Sequence, residues 1–321
     1  MKNWHSVIKD TFTSWEYLAD FLELSSEQRQ EIQPKSNFPL KLPRRLAEKI
    51  EMGNLEDPIL KQFLPHRQEL NSNGYLKDPL EEREMMITPR LLHKYQRRML
   101  IVSTGVCAMH CRYCFRRNFP YEANRSDFTA EIAAIQDDPS IIEVILSGGD
   151  PLSLSDERLL TLIEKLNEIP HLKHLRFHTR FPIGIPERID DAFLKVLERW
   201  KGQCWFVIHC NHPRELDEDH AHVFAQLKKL GVTLLNQTVL LKGVNDTVEV
   251  LEQLSLKLLE MGVLPYYLHA LDPVEGASHF AVSDEKGLQL AEALRALLPG
   301  YGVPLFVREI PGKSSKTPIE D

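Results

Sequence analysis

From about residue 98 onward, short apolar, β-branched runs alternate with longer amphipathic runs at intervals of roughly 30 residues, the length of a strand–helix–strand unit with a right-handed crossover. The predicted strands are Met99–Thr104, Ile142–Ser147, His174–Thr179, Trp205–Cys210, Thr233–Leu240, Pro265–Ala270 and Val303–Val307. Helical patterns fall between them at 129–137, 156–168, 186–200, 215–230, 247–261 and 284–298. Gly231 and Gly262 follow apolar helical runs, as C-terminal stops do. Six or seven such repeats point to an α/β fold, a partial (β/α)6 barrel with a parallel sheet. A doubly wound sheet is disfavoured, because the first strand–helix connection carries no G-x-G-x-x-G. Residues 1–94 hold short helical patterns broken by Pro34, Pro39, Pro43, Gly53 and Pro58. The expected division is a helical collar at 1–94, the barrel at 95–300, and a strand with a tail at 301–321.

Composition narrows the class. Hydrophobic residues make up 43% and charged residues 26%, which excludes a disordered chain. No apolar run approaches the ~18 residues needed to span a bilayer, and the N-terminus lacks the apolar core of a secretory leader. A net charge of −7 argues against bulk nucleic-acid binding. Five cysteines, an odd number without a leader, point to a reducing, cytoplasmic compartment rather than a disulfide framework.

Three of those cysteines stand together as Cys107-x3-Cys111-x2-Cys114, directly after the first barrel strand, at the strand end where barrel sites are built. Three thiolates at this spacing can hold three irons of a [4Fe–4S] cluster and leave the fourth open. A zinc site is the alternative, with His110, Cys204 or Cys210 as a fourth ligand. His209, Cys210 and His212 form a second, weaker metal-ligand group. Ser147-Gly148-Gly149-Asp150-Pro151 ends the second strand, where glycines permit close backbone approach. Residues 94–117 hold six cations and no acid; they read as a nucleic-acid patch or as compensation for bound anions.

Cys107-Ala-Met-His-Cys111-Arg-Tyr-Cys114 resembles the signature of the radical S-adenosylmethionine (radical SAM) enzymes, and Gly148-Gly149-Asp150-Pro151 resembles the turn that meets the cofactor's methionyl group. From about Asp78 to Pro318 the chain is similar to the lysine 2,3-aminomutases, through DPLEE, LLHKYQRRML, CRYCFRR, LSGGDPL, HCNHP, NQTVLLKGVND, PYYLHALD and SKTP. That resemblance implies a [4Fe–4S] cluster on Cys107, Cys111 and Cys114. It implies S-adenosyl-L-methionine near Gly148, Gly149, Asp150, His209 and Gln237. Pyridoxal 5′-phosphate (PLP) would be bound covalently through Lys316, with Tyr95 and Arg98 at its phosphate; Lys313 is the competing lysine. Arg116 would take the carboxylate of L-lysine. Asp272 and Glu309 would hold its distant amine, a pair that favours lysine over glutamate.

The reaction implied moves the α-amino group to C3, giving β-lysine. With five residues after Lys316, the chain is similar to the short bacterial branch that makes β-lysine for elongation factor P, to which a separate lysyl ligase attaches it. β-Lysine catabolism or osmolyte synthesis is the alternative use, and a non-enzymatic iron–sulfur or zinc protein the alternative class. A flavodoxin or ferredoxin would donate the electron. No nucleic-acid or membrane partner is expected, and a homo-oligomer is left open.

Overall fold

The computed structural model describes residues 3–121 and 127–320. Ten strands form one sheet: β1 (Met86–Thr88), β2 (Leu91–Tyr95), β3 (Arg98–Thr104), β4 (Glu143–Gly148), β5 (His174–Thr179), β6 (Gln203–Ile208), β7 (Thr233–Val239), β8 (Leu264–His269), β9 (Leu305–Arg308) and β10 (Thr317–Pro318). From β3 to β9 all neighbours are parallel and consecutive in the chain. Each parallel step carries a crossover helix: α1 (Thr129–Gln136), α2 (Asp156–Asn167), α3 (Asp191–Leu197, preceded by a short helical turn at Phe181–Gly184), α4 (Glu218–Lys229), α5 (Val248–Glu260) and α6 (Asp284–Leu297). Seven parallel strands with six crossover helices are the expected partial barrel.

The pleat sorts the strand residues between two environments. Val144, Leu146, Leu175, Phe177 and Phe206 pack outward, in one core with Leu162 of α2, Phe193 of α3 and Phe224 of α4. Burying each such side chain contributes about 1.5–3 kcal/mol. The alternate positions, Ile145 and Ser147, Arg176 and His178, Trp205, and Leu235 and Gln237, face a central cavity. The inner face is therefore polar and aromatic.

At either end the sheet gains antiparallel strands. β1 and β2 extend it before β3; they are absent from the sequence reading, because the β2–β3 turn is made by Arg97 at φ +64° and carries no glycine. β10 pairs with β9, setting Thr317 opposite Arg308 and Pro318 opposite Val307. The backbone order is open, but Tyr95 of β2 donates its hydroxyl to Glu309, just beyond β9, at 2.9 Å. Side chains thus link β2 to the end of β9, and a backbone bridge between Leu76 and Val274 links the segment before β1 to the one after β8.

Upstream of the sheet, short helices at Trp4–Lys9, Trp15–Phe21, Ser26–Gln30, Arg44–Ala47 and Pro58–Lys61 pack through Leu18, Leu22, Ile59 and Phe63 into the barrel core. Among the described residues no helix is long and apolar enough to cross a membrane.

Candidate active site

The cavity encloses about 600 Å³. Most of the residues named above line it: the three cysteines, Gly148 to Asp150, His209, Gln237, Tyr95, Arg98, Arg116, Asp272, Glu309 and Lys316, but not Lys313, His110, Cys204, Cys210 or His212.

The cysteine loop leaves β3 and is cradled by the N-terminal region. Lys41 donates its Nζ to the Cys107 carbonyl at 2.5 Å, His110 N–H to Lys41 O at 2.9 Å, and Arg112 N–H to Gln62 O at 2.8 Å. Burial pushes all three thiols up, Cys114 to about 12, and mutual repulsion pushes Cys107 and Cys114 further. All three thiols line the one cavity, and three cysteine sulfurs are the donor chemistry that an iron–sulfur cluster takes. The other ligand candidates are engaged elsewhere: the His110 ring bonds Pro39 O at 2.9 Å, Cys210 contacts His212 O at 3.5 Å, and Cys204 lies on the outer face of β6.

Gly148 and Gly149 are required by proximity. Gly148 has φ +116°, and a Cβ there would stand 2.6 Å from Thr104 O; at Gly149 it would stand 2.5 Å from Val106 O. The turn therefore lies directly against the strand end that launches the cysteine loop. The Asp150 carboxylate accepts from the Thr179 hydroxyl at 2.8 Å and from the N–H groups of Arg180, Phe181 and Leu152 at 2.8, 3.0 and 3.0 Å. Burial nevertheless raises it to about 6.

Deeper in, His209 is driven down to about 3 by burial and by Arg180, Lys316 and Arg116. Its Nε2, the Gln237 Oε1, and the Nε2 atoms of His178 and His269 are buried without partners among the described residues. Orphaned polar atoms from four strands fit a polar ligand such as S-adenosylmethionine, since burying them unpaired costs roughly 1–3 kcal/mol each.

The β9–β10 pairing holds Lys316 with its Nζ 2.8 Å from Glu309 Oε2 and 5.8 Å from the centre of the Tyr267 ring. Lys313, the competitor, is exposed and does not line the cavity. The Arg98 guanidinium lies 4.8 Å over the Tyr95 ring and, among the described residues, has no carboxylate partner. A lysine and an unpaired guanidinium in one cavity fit an aldehyde that carries a phosphate.

The basic run of 94–117 is largely neutralised from afar. Arg112 and Arg117 pair with Glu69, Lys94 with Glu82 and Glu309, and Arg116 with Glu82 through both Nε and Nη2 at 2.7 and 2.8 Å. Arg116 Nη1 donates to Ser147 Oγ at 2.8 Å. Glu82 and Lys94 are site residues that the sequence reading passed over, although both sit within DPLEE and LLHKYQRRML. They complete a chain of alternating charge: Arg116, Glu82, Lys94, Glu309, Lys316. Burial opposes the Glu309 charge, but Lys316 and Lys94 outweigh it and hold the carboxyl well below the usual range. Asp272, buried and repelled by Glu309, rises to about 7 against the pull of Lys316 and Lys94.

Residues 96–179 match the model of a 4Fe-4S single cluster domain. A cluster-bearing partial barrel is thus the class that the fold and site define. Among solved structures, a radical SAM methyltransferase from Sphaerobacter thermophilus aligns over 68% of each chain at 18% identity and a TM-score of 0.49. The chain is 44% identical to L-lysine 2,3-aminomutase of Haemophilus influenzae and 42% to that of Escherichia coli, each over at least 98% of this chain and 95% of the relative. It is 35% identical to that of Clostridium subterminale, over 99% of this chain and 77% of the relative. The chain belongs to the lysine 2,3-aminomutase family, isomerases whose cofactors are a [4Fe–4S] cluster, S-adenosylmethionine and PLP.

Proposed function

We propose that this protein converts L-α-lysine to β-lysine, and that the product serves the modification of elongation factor P. The observation that carries this reading is that Cys107, Cys111, Cys114 and Lys316 line one and the same cavity. When bound, the cluster with S-adenosylmethionine supplies a carbon radical that takes and returns a hydrogen atom, and PLP supplies the carrier for the migrating nitrogen.

The chain's own residues bind and orient. Cys107, Cys111 and Cys114 hold the cluster; Gly148, Gly149, Asp150, His209 and Gln237 hold S-adenosylmethionine; Lys316, Tyr95 and Arg98 hold PLP. Arg116, its guanidinium held in one orientation by Glu82, presents Nη1 to the substrate carboxylate. Asp272 and Glu309 take the distant ammonium: Glu309 is already ionised, and Asp272 gives up its proton as the cation arrives. Fixing both ends of lysine leaves the carbons between them in one orientation, which a reactive radical requires. Apolar Met109, Phe115 and Leu235 line the same space and help keep water from it.

The likeness to the Haemophilus influenzae and Escherichia coli relatives, over 95% of the length of each, supports the elongation factor P role. A low-potential flavoprotein or ferredoxin in the cytoplasm would donate the electron. The test is an anaerobic assay of cluster-loaded protein with dithionite, S-adenosylmethionine, PLP and L-lysine, read by chiral analysis. Absence of β-lysine refutes the activity. Intact modification of elongation factor P in a deletion strain refutes the role.

A further inference from the structure

Arg180, the residue immediately after β5, sends its guanidinium into the cysteine loop, where Nη1 donates to Cys111 Sγ at 3.1 Å and also meets the Tyr113 hydroxyl. Among the described residues Cys111 is the only one of the three thiols whose sulfur receives a side-chain hydrogen bond. The guanidinium is held through both terminal nitrogens, while its Nε is buried without a partner among the described residues. Nη2 donates to Gln62 Oε1 and Glu215 Oε2, both at 2.8 Å, and the plane lies 4.9 Å from the centre of the Phe63 ring. The Arg180 backbone N–H is anchored by Asp150. Glu215 is itself fully buried and fixed by the N–H groups of Asn211 and His212 at 3.2 and 2.9 Å and by Gln62 Nε2 at 3.1 Å. A buried charge this thoroughly positioned is expensive to maintain, and no substrate contact already described uses it.

We infer that Arg180 is a positioning residue that sets the reduction potential of the cluster through its hydrogen bond to Cys111, with Glu215 as the counter-charge that limits its effect. Reduction adds one electron to the cluster from an external low-potential one-electron donor, with no proton, so negative charge on the ligand sulfurs grows. A fixed donor aimed at one sulfur stabilises the reduced state more than the oxidised one and raises the potential. Low dielectric strengthens that preference. Glu215, at 2.8 Å, cancels most of the long-range field of the cation and leaves the local hydrogen bond. The two residues therefore act with opposite sign on one quantity.

The inference rests on the cluster reading, and its test separates the two. Iron and sulfide analysis of the reconstituted wild-type chain checks the cluster; a chain without four irons overturns the reading itself. Redox titration followed by electron paramagnetic resonance, without S-adenosylmethionine, then gives the midpoint potential of each variant at matched iron content. Arg180→Gln is expected to lower the midpoint by about 59 mV, a tenfold change in a one-electron equilibrium, and Arg180→Lys by less. Glu215→Gln is expected to raise it. An unchanged midpoint in fully loaded Arg180→Gln overturns the inference. Should Arg180→Gln fail to take up iron, Glu215→Gln decides alone: a raised midpoint supports the inference, and an unchanged or lowered one overturns it.

Discussion

Asp272 makes the pH dependence of substrate affinity a quantitative expectation. Its carboxyl is raised to about 7 by burial and by Glu309, against Lys316 and Lys94, with Glu82 adding to the repulsion. Below pH 7 the ligand-free protein holds Asp272 neutral, and an incoming ammonium must first expel that proton. If ionisation is required for binding, apparent affinity falls by the factor 1 + 10^(pKa − pH). With the carboxyl at about 7, that is about elevenfold at pH 6 and about 1.1-fold at pH 8. Both amines of lysine stay cationic over this span, so the change belongs to the protein. The assay is KM for L-lysine, and kcat separately, measured anaerobically from pH 6 to 8 at constant ionic strength. Asp272→Asn is expected to raise KM and flatten its pH profile. The same shift bears on stability: a carboxyl raised on folding destabilises the ligand-free protein above pH 7, by an amount on the order of a few kcal/mol, and not below its unfolded value near 4. Asp272→Asn should therefore melt higher at pH 8 and nearly unchanged at pH 4. A wild-type KM that is flat between pH 6 and 8, or an Asn variant that keeps the slope, refutes the reasoning.

Three further outcomes are expected. Gly149→Ala sets a methyl 2.5 Å from Val106 O, a backbone atom that cannot rotate aside; overpacking should cost about 1–3 kcal/mol and lower iron content, seen by thermal melting and iron analysis. Lys316→Ala should lose the visible absorption of bound PLP while keeping its iron, whereas Lys313→Ala should keep both. Arg116→Lys breaks the two-pronged contact with Glu82 and should lower kcat/KM for lysine by roughly 10- to 100-fold, the worth of one charged hydrogen bond at ~1.5–3 kcal/mol; an unchanged value would remove Arg116 from substrate binding.

The barrel was largely legible because its signals are local. Period-2 apolar strands and capped amphipathic helices announce themselves within a dozen residues, and helices such as 156–167 and 284–297 fall within a residue of their expected ends. β1 and β2 escaped because β2 ends in His93, Lys94 and Tyr95, of which Lys94 and Tyr95 line a cavity assembled from strands far downstream. The site divides in the same way. The cysteine spacing and the Gly-Gly-Asp-Pro turn are contiguous, whereas Glu82 and Lys94 acquire meaning only when Glu309 is brought alongside Lys94, 215 positions later in the chain. Sequence charge counting assigned the 94–117 cations to ligands; Glu69 and Glu82, lying outside the window, had already claimed most of them.

The side-chain junction between Tyr95 and Glu309 has a mechanical consequence. A closed hydrogen-bonded barrel keeps its circumference whatever it contains, but here, among the described residues, β2 is tied to the end of β9 through a carboxylate that also belongs to the proposed amine pocket. A ligand that claims Glu309 competes with Lys94, Lys316 and Tyr95 for the same oxygens, so filling the pocket loosens one stitch of the wall while adding another through the ligand itself. The wall is then most complete when the pocket is filled, and hydrogen exchange at β2 and β10 should slow together on substrate binding. An enzyme that must contain a radical gains from such an arrangement, because its container is finished by the molecule it is meant to contain.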